Sequence, residues 1–364
     1  MEHYYSVIMA GGVGKRFWPL SRKKHPKQLL DIVGSKSMIN LTIDRLRTLS
    51  DLDHIYIMTN EEQKKLIMDQ NSELKEENFI IEPCGKNTAP AIGLAAHHLH
   101  KKDPDAVMGL FPADHLITNI ELFTQTVNTA IDAASSNRAL FTFGINPTYP
   151  ATGYGYIQVD KDIDFSHKNL PGDIQIFKSK TFAEKPDITT AKLFLKSGEF
   201  FWNSGMFVWQ AKVIISKINR YLPETGPILS EISETIGTDD YDTTIRKKWK
   251  TIQSISIDYA VLEQSSRIYV VKADFDWNDV GSWDTVYKIE DKDKNKNVFR
   301  SEGLMLRSSG NYVYSKNLKV FALGVKNLVV VENDGALVIL PRSESENIKE
   351  IVDTLPVIGE EDLL

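Results

Sequence analysis

Apolar residues recur along this chain with two different spacings, and the change between them divides it. In the first part, short apolar and β-branched runs at 5–9, 54–58, 79–81, 106–111 and 140–144 predict strands. Between them, apolar positions return every three or four residues over 38–49, 61–70, 88–101 and 122–135, which predicts helices. Strands alternating with helices of this length imply an α/β fold with a mostly parallel, Rossmann-like sheet covered by helices on both faces, and ligands gather at the carboxyl ends of such strands. From Thr152 the pattern changes. TGYGYIQV, IQIFKSKTF and FWNSGMFVW read as hairpin-like strands, predicting an inserted antiparallel section that forms the other wall of a cleft. The run KIEDKDKNKN over 288–297 reads as a solvated linker. Beyond it LMLRSS, NYVYS, KVFALG, NLVVVE and ALVIL predict short strands, and 345–355 a closing helix. The expected organisation is an α/β domain over 1–290 and a small all-β domain over 298–364.

The most pointed stretch follows the first predicted strand. VIMAGGVGKRFWPLSRKKHPKQLL breaks from an apolar run into Ala10, Gly11, Gly12 and Gly14, then supplies Lys15, Arg16, Arg22, Lys23, Lys24 and Lys27. Glycine lets backbone N–H groups approach a ligand with no Cβ in the way. No acid lies between Glu2 and Asp31, although the whole chain carries a formal net charge of −6. A strand, a glycine turn and a cation cluster together read as a cradle for phosphates. It is not a P-loop, because GxxxxGK[ST] does not occur, and the dinucleotide fingerprint GxGxxG fails at Phe17. The string GGVGKRFWPLSRKKHPK instead resembles the signature of the sugar-1-phosphate nucleotidylyltransferases, and its RFWPLSRxxxPKQ form is most similar to the mannose-1-phosphate guanylyltransferases among them. The resemblance is dense over 5–290 and loose over the tail, where it implies a short β-helix.

Composition narrows the alternatives. With 42% hydrophobic and 25% charged residues the chain is globular in type, and its acidic balance argues against nucleic acid as a partner. No apolar stretch is long enough to span a bilayer, the start lacks the features of a signal peptide, and Cys84 is the only cysteine. No membrane association and a reducing cytoplasm are therefore expected.

Several residues could carry chemistry. Asp114 in LFPADHLI and Asp279 in DFDWNDVGSWDTV each read either as a helix cap or as an oxygen ligand for a hard cation. Asp274, Asp276 and Asp284 crowd the second of them. Glu184 and Lys185 in FAEKPD read as a surface ion pair, Asn203 in FFWNSGMFVW as a turn residue, and Thr88 beside Asn87 as a helix cap. Gly153 and Tyr154 sit where a backbone could approach a ligand. Cys84 is expected to be inert packing, and Phe200, Phe201, Trp202, Phe207 and Trp209 to be core. His97, His98 and His100 stand with Lys101 and Lys102 in a predicted last helical turn, where cations complement the dipole, and lack the HExxH spacing of a zinc site.

The resemblance adds roles to these positions. It implies Mg²⁺ on Asp114 and Asp279, the triphosphate on Arg16, and Lys27 and Lys185 on the phosphates being joined. It places the nucleotide along Ala10–Lys15, with Asn87 and Thr88 lining the base, and the sugar against Gly153, Tyr154, Glu184 and Asn203. The implied reaction joins GTP and mannose 1-phosphate into GDP-mannose and pyrophosphate. Glucose or heptose 1-phosphate as the sugar, or a non-catalytic nucleotide-sugar sensor, stay as alternatives, and a homodimer stays open. Some relatives continue into a phosphomannose isomerase domain, and this chain is expected to carry a single activity. Convergence of Asp114 and Asp279 without metal would be expected to raise the pKa of at least one.

Overall fold

The computed structural model describes residues 2–12, 14–164 and 174–364. The chain divides into two compact units. The first takes Met1–Gly11, Ile43–Pro112 and Ile117–Trp277, and the second takes Gly12–Thr42, Ala113–Leu116 and Asn278–Leu364. The cut therefore falls inside the glycine turn and at Trp277, not in the charged run.

The first unit is built on a nine-stranded sheet. Its strands are β1 Tyr4–Met9, β2 Ile55–Thr59, β3 Phe79–Ile81, β4 Val107–Pro112, β5 Leu140–Ile145, β6 Tyr156–Asp164, β7 Ile176–Ala183, β8 Phe200–Gln210 and β9 Ile268–Ala273. They lie in the order β3-β2-β1-β4-β8-β5-β9-β7-β6. The first four pair in parallel, as do β5 and β9. β8 is antiparallel to both β4 and β5, and β6 and β7 add antiparallel pairings at the far edge. The predicted antiparallel section thus exists, but it joins the same sheet instead of forming a separate wall. With 11 residues, apolar at most positions, β8 can be buried from end to end, which a central strand requires.

Both faces of this sheet are covered, and neighbouring residues of one strand show it. Leu110 packs in a core with Leu94 and Leu99 of the helix Thr88–Lys102, together with Trp209, Ile214 and Leu229. The next residue, Phe111, meets Phe123 of the helix Ile120–Ser136 edge to face at 5.9 Å. Alternate residues of a strand point to opposite faces, so these helices lie on opposite sides. Helices at Ile188–Ser197, Ala211–Tyr221, Thr225–Thr235 and Tyr241–Trp249 complete the unit.

The second unit carries the C-terminal strands. Val298–Arg300, Tyr312–Ser315 and Leu328–Asn333 pair in parallel in one sheet, which Ala336–Pro341 closes in antiparallel. Gly303–Leu306 and Val320–Leu323 pair in parallel in a second, so successive strands alternate between the two. A ladder of asparagines holds the turns. Asn297 Oδ1 accepts from the Asn311 backbone and side chain, and Asn311 Oδ1 accepts from Leu328 N at 2.9 Å. The charged run is consequently no free linker: Asp293 accepts from Asn295 N and Asn297 N, and Tyr287 Oη donates to Lys296 O. The core of this unit gathers Phe17, Trp18 and Leu20 of the early segment with Val280, Trp283, Tyr312, Val331 and Ile348.

Candidate active site

In the second unit, the glycine turn is shaped around one lysine. Gly14 has φ 78°, and a Cβ there would stand 2.3 Å from the Lys27 Cβ, so both backbone and space demand glycine. Its carbonyl accepts from Phe17 N and from Ser21 Oγ at 2.7 Å, which closes a short 3-10 turn over Lys15–Phe17. Phe17, buried edge-on against Trp283 at 5.0 Å, fixes that turn to the core. Lys27 is 5% exposed. Its ammonium donates to Asp114 Oδ2 at 2.7 Å, to Asp279 O at 2.9 Å and to Asp114 O at 3.4 Å, and it lies 5.2 Å from the Phe17 ring centre. Arg16 Nη1 reaches Gly281 O at 3.4 Å. Gly14, Arg16, Lys27, Asp114, Asp279 and Lys349 are among the residues lining a cavity of about 360 Å³.

The innocent explanations for the two aspartates fail here. Asn119 caps the helix Ile120–Ser136, and Ser282 caps Trp283–Ile289 by accepting from Thr285 N. Neither Asp114 nor Asp279 is the cap of either helix. Burial pushes the Asp114 carboxyl up, but the charges of Lys27 and His115 outweigh it and hold the pKa below the ordinary value. The expected upward shift is therefore absent for Asp114, whose carboxylate has the Lys27 ammonium at 2.7 Å.

In the first unit, Glu184, Lys185 and Asn203 come together around Asp258, a residue the sequence did not single out. Asn203 Nδ2 donates to Asp258 Oδ1 at 2.8 Å, while its Oδ1 accepts from Thr142 Oγ1 and Gly205 N, both at 3.2 Å. Burial, then the charge of Glu184, push the Asp258 pKa up to about 6. Glu184 ion-pairs with Lys185 at 3.0 Å, and Lys185 takes φ 47°, a strained value for a residue with a side chain. A Cβ on Gly155 would lie 2.5 Å from Glu184 Oε2, whereas nothing lies within 4 Å of one on Gly153. The tight fit within the protein is at Gly155, while the space beside Gly153 is open. Tyr154 meets Trp202 and Trp277 edge-on at 5.0 and 5.5 Å.

A further carboxylate stands at the start of the loop between β3 and the helix Thr88–Lys102. Glu82 follows β3 and is 6% exposed, and its Oε2 is buried without a hydrogen-bond partner among the described residues. Its Oε1 would lie 3.0 Å from a Cβ on Gly11. Burial raises its pKa to about 7. Nearby, Asn87 caps the helix Thr88–Lys102 with its own side chain at φ 65°, while Thr88 Oγ1 accepts from Ile257 N at 2.8 Å. Thr88 is thus the first helical residue and not the cap.

A family described as Nucleotidyl transferase matches residues 5–296. The chain belongs to the nucleotidyl transferase family. It is 34% identical over 359 residues to a mannose-1-phosphate guanylyltransferase of Escherichia coli, covering 97% of this chain and 76% of that one. It is 37% identical over 357 residues to the mannose-1-phosphate guanylyltransferase RfbM of Salmonella typhimurium, covering 97% and 72%. A crystal structure described as mannose-1-phosphate geranyltransferase from Thermus thermophilus is similar at a TM-score of 0.85 and 27% identity, over 97% of this chain and 99% of that one.

Three other expectations meet the structure differently. Cys84 is exposed and is not packing. His97 and His98 are pushed down to about 4 by burial, and His98 Nε2 lies 2.7 Å from Tyr241 Oη, so neither serves as a cation at the helix end. Phe201, Trp202, Phe207 and Trp209 are core as expected, while Phe200 is half-buried and stacks on Phe194 at 3.9 Å. Sequence reasoning missed Glu82, Gly155, Asp258 and Lys349. Only Glu82, a carboxylate ending an apolar strand, carries a signal of the kind that singled out Asp114. Among the described residues no group of three or more His, Cys, Asp or Glu could hold a metal, and no helix is long and apolar enough to cross a membrane.

Proposed function

We propose that this chain joins GTP and mannose 1-phosphate into GDP-mannose, releasing pyrophosphate. The observation that carries the chemistry is the buried Lys27, which ties the Asp114 carboxylate and the Asp279 backbone into one cavity with Arg16. The relatives named above, called mannose-1-phosphate guanylyltransferases, support this choice of substrates. In the reaction a phosphate oxygen of mannose 1-phosphate attacks the α-phosphorus of GTP. The bond from that phosphorus to the β-bridging oxygen breaks, and its electron pair leaves with pyrophosphate. The attacking oxygen is already anionic, so no general base is needed, and catalysis rests on positioning and on neutralising charge.

Arg16 and Lys27 supply fixed positive charge to the phosphates. Lys185 is 61% exposed, and its ammonium can leave Glu184 for the sugar phosphate, freeing Glu184 to accept from sugar hydroxyls. Asn203, with one amide hydrogen committed to Asp258, offers its other hydrogen to the sugar. Ala10, Gly11, Gly12, Gly14 and Lys15 follow the nucleotide, with Asn87 and Thr88 beside the base. We assign the choice of guanine to Glu82, because guanine presents two adjacent donors, N1–H and N2–H, and a carboxylate with one oxygen still unpaired among the described residues is a natural acceptor for them.

Two carboxylates lining one cavity, joined by phosphate oxygens, form a hard oxygen donor set suited to Mg²⁺. Asp114 and Asp279 would hold it, and when bound it supplies further positive charge to the phosphates. We infer that substrate binding falls mainly to 1–290, and that the alternating strands of 298–364 form a short β-helix. A cytoplasmic location fits the nucleotide supply this reaction needs. The test is pyrophosphate release across a panel of nucleotides and sugar 1-phosphates. GTP with mannose 1-phosphate should give the highest kcat/KM, and a clear preference for UTP, dTTP or glucose 1-phosphate would refute the substrate choice.

A further inference from the structure

The cavity that holds Arg16, Lys27 and the two aspartates is also lined by the closing helix Ile348–Thr354, through Lys349 and Asp353. This helix lies outside the matched residues 5–296, so membership of the family assigns it nothing. The cations around the cavity differ in what already occupies them. Lys27 is committed to Asp114 and to the Asp279 backbone, Arg16 reaches Gly281 O, and Lys15 pairs with Asp353 at 2.7 Å. Lys349 is exposed, and among the described residues no hydrogen bond or ion pair engages its ammonium. An ammonium without a counter-ion, on the wall of a cavity already lined by phosphate-binding side chains, is poised for the most highly charged ligand that can enter. In the proposed reaction that ligand is the pyrophosphate end of the nucleotide.

We propose that Lys349 is a pyrophosphate-binding residue, contributed to the active site by the closing helix. The assignment rests on the reading of this cavity as the phosphate site. Asp353, one helical turn after Lys349, occupies Lys15 until the phosphates compete for that ammonium. The closing helix would then act on leaving-group charge twice, directly through Lys349 and indirectly through Lys15. Its effect should be confined to the phosphate end, because neither the sugar residues nor Glu82 line this cavity.

The experiment is titration calorimetry with inorganic pyrophosphate, in the presence of Mg²⁺, on the full chain and on Lys349→Gln and Lys349→Arg. Charge-assisted hydrogen bonds to an anion are worth roughly a tenfold change in Kd or more. Lys349→Gln should therefore weaken pyrophosphate binding about tenfold, and Lys349→Arg should stay within about threefold of the parent, with melting temperatures unchanged. The same split should appear in the reverse reaction, as a raised KM for pyrophosphate with KM for the nucleotide sugar unmoved. Equal affinities in all three proteins would overturn the proposal, as would equal losses in the Gln and Arg variants. Because the calorimetric arm uses pyrophosphate alone, it reads out Lys349 even if the enzyme proves to use another nucleotide or sugar. Such an outcome would refute the substrate choice and leave this inference standing.

Discussion

Replacing Glu82 by glutamine should make the protein more stable and less selective at once. In the folded protein burial lifts the Glu82 pKa from 4.5 to about 7. A carboxyl whose folded pKa lies above its unfolded one binds more protons when folded, so stability falls as pH rises between those values. Above pH 7 the full cost is present. At 1.36 kcal/mol per unit it amounts to roughly 3 kcal/mol, and it vanishes at pH 4 and below. Glutamine carries no charge to desolvate, so Glu82→Gln should raise the melting temperature by a few degrees at pH 8 and by much less at pH 5. The function should move the other way. A carboxylate accepts from both N1–H and N2–H of guanine, whereas a glutamine has a single acceptor oxygen. Losing one charge-assisted hydrogen bond costs about 10- to 100-fold. The assay is kcat/KM for GTP against ITP, which lacks the 2-amino group, alongside melts at both pH values. In the parent, kcat/KM for GTP should also fall as pH drops below about 7, because protonation removes an acceptor. A Gln variant that keeps the parent's preference for GTP over ITP would refute the guanine assignment. A stability difference equal at pH 5 and pH 8 would refute the buried charge.

Asp279→Asn should leave the fold intact, since Ser282 caps the adjoining helix, and should lower turnover by at least about a hundredfold at saturating Mg²⁺. Near-parental turnover would remove Asp279 from the metal site. Asp114→Asn should lose activity comparably and also lower the melting temperature, because Lys27, 5% exposed, is left without its counter-charge; an unshifted melt would show that this pair is not needed for stability. Gly14→Ala places a Cβ 2.3 Å from the Lys27 Cβ at φ 78°, so it should cost about 1–3 kcal/mol in strain alone, read by denaturant unfolding. A loop with slack would give a parental midpoint and rate. Gly155→Ala presses on Glu184 Oε2 at 2.5 Å and should raise KM for the sugar 1-phosphate while KM for GTP stays put; equal rises in both would place Glu184 elsewhere.

Local periodicity reported local structure well. The helix expected at 61–70 is Glu61–Gln70, and the strand expected at 79–81 is Phe79–Ile81. Strongly amphipathic or wholly apolar stretches leave the backbone few alternatives. Pairing was less legible. Nothing in FFWNSGMFVWQ says that it lies between β4 and β5, because its partners are more than 50 residues away. The helices between residues 211 and 249 escaped notice although Val213, Ile214 and Ile218 are buried at helical spacing. Site residues divided in the same way. The signature cations and the aspartates after apolar strands carry their meaning in neighbouring residues. Asp258 does not, because what sets it apart is desolvation by segments distant in the chain.

The second unit is stitched from distant segments, and this has a consequence in time. Phe17 and Trp18 find their core against Val280, Trp283, Tyr312 and Ile348. During synthesis at about 5–20 residues per second, roughly 15–65 s separate the emergence of Phe17 from that of Ile348. For most of that interval the nascent chain carries two large aromatic side chains whose partners Val280, Trp283 and Tyr312 are still to be made, while much of the first unit's sheet can already form. The Lys15–Phe17 turn can complete its packing only after almost the whole chain has been made. The core around Phe17 and Trp18 is therefore completed late, by the closing helix that carries Ile348.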